Sequence, residues 1–206
     1  MLKGGYVEAG DTGRHRVEAG DVVVHRPFES HLDQFDARGA EVLVLPLPSG
    51  WRGPVRGRAA EPDVIVRTAE RSPEDAAALL MDGLQPAASQ PADWPDLLAQ
   101  ALCADPSLKL EAWAETAGLH PASVSRGFRQ VFAVTPAAFR IAQRAHLAVA
   151  ALAHTSAPLA AVAQDCGFAD QAHMTRAVAK LTGTTPSALR EAQSTLQSPS
   201  DRHSRS

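Results

Sequence analysis

Apolar and polar positions follow two different periods along the chain, and the change of period separates a front half from a back half. Over residues 5–45, short apolar runs lie between Gly, Asp and Pro turns, which predicts strands in the segments GGYVEA, HRVEAGDVVVH and AEVLVLPL. From Trp94 to Arg190, apolar residues recur at helical spacing, which predicts helices broken by short turns. The expected fold class is α+β, with a small β domain followed by an all-α domain.

The middle of the chain is expected to connect these halves. The Pro- and Gly-rich stretch 46–62 is typical of a loop, and DVIVR (63–67) is predicted as one more strand. Ser72 precedes a proline and two acids, which is a typical helix start with a capping side chain, and that helix is expected to run to Met81. Residues 82–93 form the best candidate for a linker.

Charge follows the same division of the chain. Residues 1–93 hold 10 Lys/Arg against 15 Asp/Glu, whereas residues 94–190 hold 8 against 6. An acidic front and a mildly basic back indicate two modules with different partners, although the positive excess is too small to prove nucleic-acid binding. The predicted segments are a β domain over 1–70, a helix and linker over 71–93, a helical domain over 94–192 and a disordered tail over 193–206.

The helical half contains an internal repeat. LEAWAETAG (110–118) matches LAAVAQDCG (159–167), and FRQVFAVTPAAFR (128–140) matches VAKLTGTTPSALR (178–190). Each copy therefore reads as a helix, a glycine-containing turn, a second helix and a Thr-Pro stop, with a long helix over 136–154 joining the copies. This arrangement is the pattern of a helix-turn-helix DNA reader.

The second helix of each copy is predicted to be amphipathic. Over 171–182, Met174, Val178 and Leu181 share one face, and the polar face holds Gln171, His173, Thr175, Arg176 and Lys180. Over 121–132, the inner residues are Val124, Phe128 and Val131, and the outward residues are Ala122, Ser125, Arg126, Arg129 and Gln130. A solvated surface explains one such helix, but the equivalent positions of Arg126 and Arg176 favour a contacting face. Phe128, Phe132, Trp113 and Phe139 are expected in the core.

Residues 107–190 resemble the DNA-binding domain of the AraC/XylS family of bacterial transcriptional regulators. The motifs that carry the resemblance are LEAWAETAGLHPASVSRGFRQVF, TPAAFR and VAQDCGFADQAHMTRAVAKLTGTTPSALR. The resemblance implies two recognition helices in successive major-groove segments of double-stranded promoter DNA. By position, the base-reading residues would be Ala122, Ser125 and Arg126 in the first helix, and Gln171, His173, Thr175 and Arg176 in the second.

Arg129, Lys180 and Arg140 are better placed for phosphates, although each could instead be an ordinary solvated charge. The sequence also departs from the family's pattern. Ala133 stands where a glycine is usual before the first Thr-Pro, and Gly127 lies inside the first recognition helix. Val178-Ala179 replaces the usual Phe-Lys pair, so the second helix is expected to bind more weakly than is typical.

The segment RHRVEAGDVVVHRPFESH (14–31) resembles the second half of a cupin-type sensor domain. A metal-binding cupin would also need a His-x-His pair on an earlier strand, and this pair is absent, so the domain is interpreted either as truncated or as a reduced variant. His15, His25 and His31 are more typical of surface or strand-edge histidines than of metal ligands. We therefore expect no metal and no cofactor.

A DNA-binding transcriptional regulator is the leading hypothesis, and no enzymatic activity is expected. The alternatives are a cupin-fold metal enzyme or isomerase with a helical appendage, and a protein-binding regulator that has lost DNA contact. The resemblance also implies a small-molecule effector, RNA polymerase as a partner if the protein activates transcription, and a homodimer. Two cysteines without metal-ligand spacing, the lack of a long apolar run and the absence of a signal peptide favour a reduced, cytoplasmic location with no membrane partner.

Overall fold

The computed structural model describes residues 1–10, 13–25, 27–29, 31–48, 51–87, 92–105 and 107–197. The chain divides into two compact units, of which the first is Met1–Leu97 and the second begins at Leu98. The first unit is rich in strands and the second is helical, so the α+β fold class is confirmed. Within the described ranges, no helix is long and apolar enough to span a bilayer.

Two three-stranded antiparallel sheets form most of the first unit. The first sheet has the order β2-β1-β4, and the second has the order β3-β5-β6. The strands are β1 (Lys3–Gly10), β2 (Gly13–Glu18), β3 (Asp21–Val23), β4 (Leu32–Glu41), β5 (Arg56–Ala59) and β6 (Leu84–Pro86). The helices of this unit are α1 (Pro62–Ala69) and α2 (Pro73–Asp82), which pack against each other.

The register of the first sheet brings charged residues side by side. Glu8 on β1 lies opposite His15 on β2 and opposite Asp33 on β4. Side chains alternate between the two faces of a strand, so these three share one face. The next row on that face holds Tyr6, whose partners are Val17 and Phe35.

Several sequence predictions for the middle of the chain were wrong. DVIVR was predicted as a strand but lies in α1, where Ile65 is buried and packs with α2. Pro62 at the first helical position, Asp63 in the first turn and Arg67 in the last turn all suit a helix. A short apolar run does not by itself distinguish a strand from a buried helix. The end signals permit a helix here, and the packing of Ile65 against α2 selects it.

The predicted loop and linker each contain a strand. Residues 56–59 form β5 inside the expected loop, and residues 84–86 form β6 inside the expected linker. The segment AEVLVLPL contributes only its first two residues to β4, and residues 42–48 are not in a regular strand. Strand pairing with distant partners, rather than local sequence, determines these outcomes.

The predicted helix start at Ser72 is confirmed. Its hydroxyl accepts a hydrogen bond from the backbone N–H of Asp75, at 3.1 Å, and the helix begins at Pro73.

A charged contact joins β2 to the helix that begins at Trp94. Arg14 donates hydrogen bonds from its backbone N–H and its guanidinium to the buried carboxylate of Asp96. This contact holds the first turn of the next helix against β2.

From Trp94 onward the described chain is helical. The elements are α3 (Trp94–Ala104), α4 (Leu110–Thr116), α5 (Pro121–Phe132), α6 (Pro136–His154), α7 (Leu159–Asp165), α8 (Gln171–Thr182) and α9 (Pro186–Gln197). The bounds of α5, α6 and α8 are those expected from the repeat. Because α6 contacts both α5 and α8, it joins the two copies through packing as well as through the chain.

Each copy of the repeat has its own buried apolar cluster against α6. In the first copy, the rings of Phe128 and Phe132 stack at 4.4 Å and both meet Phe139 of α6 nearly edge-on. In the second copy, Met174 and Val178 pack with residues of α6 and α7. Three of the four aromatic residues expected in the core are buried, whereas Trp113 is half-buried.

The helices α5 and α8 end at different residue types. Both α5 and α8 finish with a residue in the left-handed backbone region, at φ 58° for Ala133 and φ 74° for Gly183. Glycine adopts this conformation without strain, whereas the methyl group of alanine is crowded by the adjacent backbone. The departure seen in the sequence at Ala133 therefore stores conformational strain in the first copy.

We predict that Ala133→Gly stabilises the protein by about 1 kcal/mol, because it relieves this strain. The matched control is Gly183→Ala, which is expected to destabilise the protein by about 1 kcal/mol for the same reason. A methyl group at Gly183 would meet no atom within 4 Å, so the effect there is conformational. Urea denaturation followed by circular dichroism measures both free energies, and equal stability of Ala133→Gly and wild type would contradict the prediction.

Candidate nucleic-acid interface

The two helix-turn-helix copies close their turns with equivalent hydrogen bonds. In the first copy the backbone N–H of Leu119 donates to the carbonyl of Ala114 at 2.8 Å. In the second copy the N–H of Phe168 donates to the carbonyl of Ala163 at 2.9 Å. The same bond at the same place shows that the sequence repeat is a repeat of local structure.

Different side chains cap α5 and α8. His120 Nδ1 accepts a hydrogen bond from the backbone N–H of Ala122 at 3.2 Å, and Asp170 Oδ1 accepts one from His173 N at 2.6 Å. The sequence reasoning did not single out these two caps. Asp170 matches the known preference for Asp before a helix and could have been found, whereas histidine carries no comparable signal.

Buried residues fix the rotation of each helix about its own axis. Val124 and Phe128 of α5 are fully buried, as are Met174 and Val178 of α8, at 0% exposure. These pairs occupy equivalent positions, so the outward faces of α5 and α8 are equivalent as well. Val131, expected on the inner face of α5, is half-buried, and Phe132 is buried in its place.

The predicted contact residues lie on the outward faces, with different degrees of exposure. Exposed members are Ala122, Arg126, Arg129, Gln171, Arg176 and Lys180, and half-buried members are Ser125, His173 and Thr175. The ring of His173 stands edge-on to the ring of Phe168, with centroids 5.2 Å apart. This contact holds the imidazole at the start of α8 and limits the directions in which it can reach.

The four cations of the outward faces are available to a partner. Among the residues that the structure describes, none of Arg126, Arg129, Arg176 and Lys180 takes part in an ion pair. Arg140 differs from them, because it is half-buried and its Nη1 donates to the carbonyl of Leu108 at 2.9 Å. Arg140 therefore has a structural partner, which weakens its assignment as a phosphate contact.

Comparisons with known proteins agree on the helical half. A family model described as a helix-turn-helix domain matches residues 113–192. The arabinose operon regulatory protein of Escherichia coli (strain K12) is 33% identical over 87 residues, which is 42% of this chain and 30% of that protein. Residues 113–192 therefore match a helix-turn-helix domain and are similar to part of the arabinose regulator.

Solved structures that resemble the helical half include a probable AraC family transcriptional regulator from Rhodopseudomonas palustris CGA009. Its identity is 21% and its TM-score 0.44, over 47% of this chain and 93% of that one. Another is the DNA-binding domain of AdpA in complex with a target DNA, with 21% identity and a TM-score of 0.47, over 52% of this chain and 97% of that one. The present chain spans less than a third of the length of the arabinose regulator.

Each histidine of the first unit contacts neighbouring side chains. His15 lies on the edge strand β2 and His31 is exposed, which agrees with the prediction of strand-edge or surface histidines. The rings of His25 and His31 stack with centroids 4.1 Å apart. His25 Nε2 lies 3.4 Å from the carboxylate of the buried Glu8, and His31 Nε2 lies 3.6 Å from Asp33. His15 is half-buried, and its Nδ1 accepts a hydrogen bond from Arg56 Nη1 at 2.7 Å.

These groups do not form a metal centre. In the parts of the chain that the structure describes, no three His, Cys, Asp or Glu side chains are arranged to hold a metal ion. The acceptor nitrogen of His15 is already occupied by Arg56, and each of the other two histidines faces its own carboxylate. The residues present therefore do not fit the metal site that a cupin-type domain would imply.

We predict that the purified protein carries no stoichiometric metal, because these histidines pair with neighbouring side chains. Elemental analysis of protein prepared without chelators is the measurement. About one zinc, iron or manganese ion per chain would contradict the prediction and favour the metal-enzyme hypothesis.

Burial and charge shift the titration of this cluster. The carboxylate of Glu8, 3.4 Å away, raises the pKa of His25, while burial raises the pKa of Asp33. Burial, with the charges of Glu8 and Asp33, raises the pKa of Tyr6 to about 12. A histidine whose pKa is raised on folding stabilises the folded state below its unfolded pKa, and this contribution is lost as the pH rises through the folded pKa.

We predict that the first unit becomes less stable as the pH rises above the ordinary imidazole pKa of about 6.5, because His25, whose pKa is raised on folding, loses its proton there. Glu8→Gln should flatten this dependence, since the neutral amide no longer favours the imidazolium. The exposed Glu41→Gln on β4 is the matched control and should keep the wild-type slope. Thermal unfolding at several pH values measures the effect, and parallel slopes for wild type and Glu8→Gln would refute it.

Proposed function

We propose that this chain is a sequence-specific transcriptional regulator that binds double-stranded promoter DNA with α5 and α8 as its recognition helices. The observation that carries the proposal is the equivalence of two exposed cationic faces, with Arg126 and Arg176 at matching positions. One amphipathic helix with an arginine is common on protein surfaces. Two equivalent ones, held by a shared helix in a helix-turn-helix domain, favour a repeating partner such as the major groove.

The base-reading roles follow from side-chain chemistry. An arginine can donate two hydrogen bonds to guanine, and Gln171 can pair with the edge of adenine. Ser125, His173 and Thr175 can bond to a base or to a phosphate, and Ala122 offers a methyl group to thymine. We assign Arg126 and Arg176 as the main base-reading residues, because both are exposed and lie at equivalent positions.

Arg129 and Lys180 are assigned to the phosphate backbone. Each lies towards the C-terminal half of its helix, and each is exposed. Phosphate contacts fix the register of a protein on DNA and make its affinity salt-dependent. Because Ala179 stands at the position equivalent to Arg129, α8 lacks one cation there, and we expect Arg126 to matter at least as much as Arg176.

Other parts of the proposal rest on the family likeness. The protein would act in the cytoplasm of a bacterial cell, respond to a small-molecule effector through its first unit, and function as a homodimer. If it activates transcription, RNA polymerase would be a further partner. A protein-binding regulator that does not contact DNA is the second candidate. Arg126 and Arg176 are exposed and form no ion pair within the described residues, which favours a DNA contact over this alternative.

We predict that Arg126→Ala and Arg176→Ala each weaken binding to a selected DNA site by about 1–3 kcal/mol and change non-specific binding less. Lys180→Ala should instead weaken binding to all sequences and reduce the salt dependence, because it removes a phosphate contact. Fluorescence anisotropy titrations on a selected and a scrambled duplex, at several salt concentrations, separate these effects.

Arg71→Ala is the matched control for these variants, because Arg71 is exposed and lies in the first unit. It should leave both affinities unchanged. If both recognition-helix arginine variants keep the wild-type ratio of specific to non-specific affinity, neither arginine reads bases. If the wild-type chain binds no duplex at low salt, the proposed function itself is wrong.

A further inference from the structure

An apolar cavity of about 370 Å³ lies inside the first unit. Its walls come from both sheets and from the α1–α2 pair, and they include Val17, Val22, Leu45, Ile65, Leu80 and Met81. All of its lining residues belong to Met1–Leu97, so the cavity belongs to one compact unit. Its volume lies in the range of about 300–1,000 Å³ that small-molecule sites occupy.

Few polar side chains line this cavity, and two of them face other side chains. Asp21 accepts hydrogen bonds from Arg58 Nη1 and from the backbone N–H of Glu18, and His25 Nε2 lies 3.4 Å from Glu8 while its buried Nδ1 has no hydrogen-bond partner within the described residues. Tyr6 is buried with its ring against Phe35. A sugar in this cavity would exchange its bonds to water for contacts with carbon, which is unfavourable for each hydroxyl group that stays unpaired.

The mouth of the cavity is apolar as well. Val42 and Val44 belong to the lining, yet they are 46% and 84% exposed. Replacing the water at such a surface by an apolar molecule lowers the free energy of the system, because apolar surface is removed from water. The volume is too small to take a helix of a partner protein, whose diameter with side chains is about 10–12 Å.

We propose that this cavity binds a small, uncharged and mainly apolar molecule, and that it does not bind a sugar. Residues of α1 and α2 line the cavity, so this pair of helices forms one of its walls. The proposal concerns the first unit and stands whether or not the second unit binds DNA, while the ligand's role as an effector rests on the proposed function.

The test measures binding of N-phenyl-1-naphthylamine, an uncharged apolar fluorophore, to the full chain. We expect saturable fluorescence enhancement at one site per chain, with no displacement by L-arabinose. Met81→Trp and Val22→Phe fill the cavity from a helix and from a strand, and each should weaken probe binding at least about tenfold. Circular dichroism and DNA titration of the same variants confirm that they remain folded.

The matched control is Leu79→Trp, which adds the same side chain to the same helix at an exposed residue outside the lining. It should change probe affinity less than about twofold. Absence of probe binding in a folded chain, displacement by arabinose, or equal loss in the control would overturn the proposal. Loss of probe binding as the chain self-associates would also overturn it, because a second copy would then cover the cavity. Normal DNA binding in any of these cases leaves the proposed function intact.

Discussion

The burial of two residues in each recognition helix is the constraint on which the proposed DNA-binding surface depends. Val124 and Phe128 in α5, and Met174 and Val178 in α8, lose all contact with solvent. A helix with one face buried in this way cannot rotate about its axis without exposing apolar surface, at a cost of about 25 cal/mol per Å². The fixed orientation of each helix about its axis therefore determines which side chains face outward and can contact a partner.

The long helix α6 turns two local arrangements into one domain. It contributes Phe139 to the aromatic cluster of the first copy, and Ala145, Ala148 and Leu152 to the core of the second. Where α6 packs against the second copy, its small residues Ala145 and Ala148 leave room for α8 to pack closely. Where α6 packs against the first copy, aromatic rings fill the core. The two copies therefore share a fold and a direction of exposure but differ in how their cores are filled.

The first unit depends on a different balance, between buried charge and apolar space. Glu8 lies within the sheet with its carboxylate near His25, and a dense set of charged groups surrounds it. Burying a carboxylate is costly unless it has partners, and the nearby His25 and Arg56 of β5 compensate the charge of Glu8. Beyond this polar end, the interior is lined mainly by apolar side chains, which surround the cavity of the first unit.

The sequence by itself determined the helical half in detail. The repeat defined the bounds of α5, α6 and α8, and helical spacing identified Met174, Val178 and Arg176 with their faces, because short-range periodicity and end signals act within a few residues. It also showed that Ala133 replaces a glycine, although the left-handed backbone that makes this a strain became visible only in the structure.

The tertiary structure decided the rest, because the contacts involved join residues far apart in the chain. DVIVR became α1 because Ile65 packs with Leu80 of α2, and β5 and β6 formed inside expected connecting segments because each found a strand to pair with. The partners of His15, His25 and Arg140 likewise come from distant elements, and no local pattern marks them. Local propensity specifies a helix with a clear period, but pairing between short strands and the closing of a cavity depend on which elements meet in space.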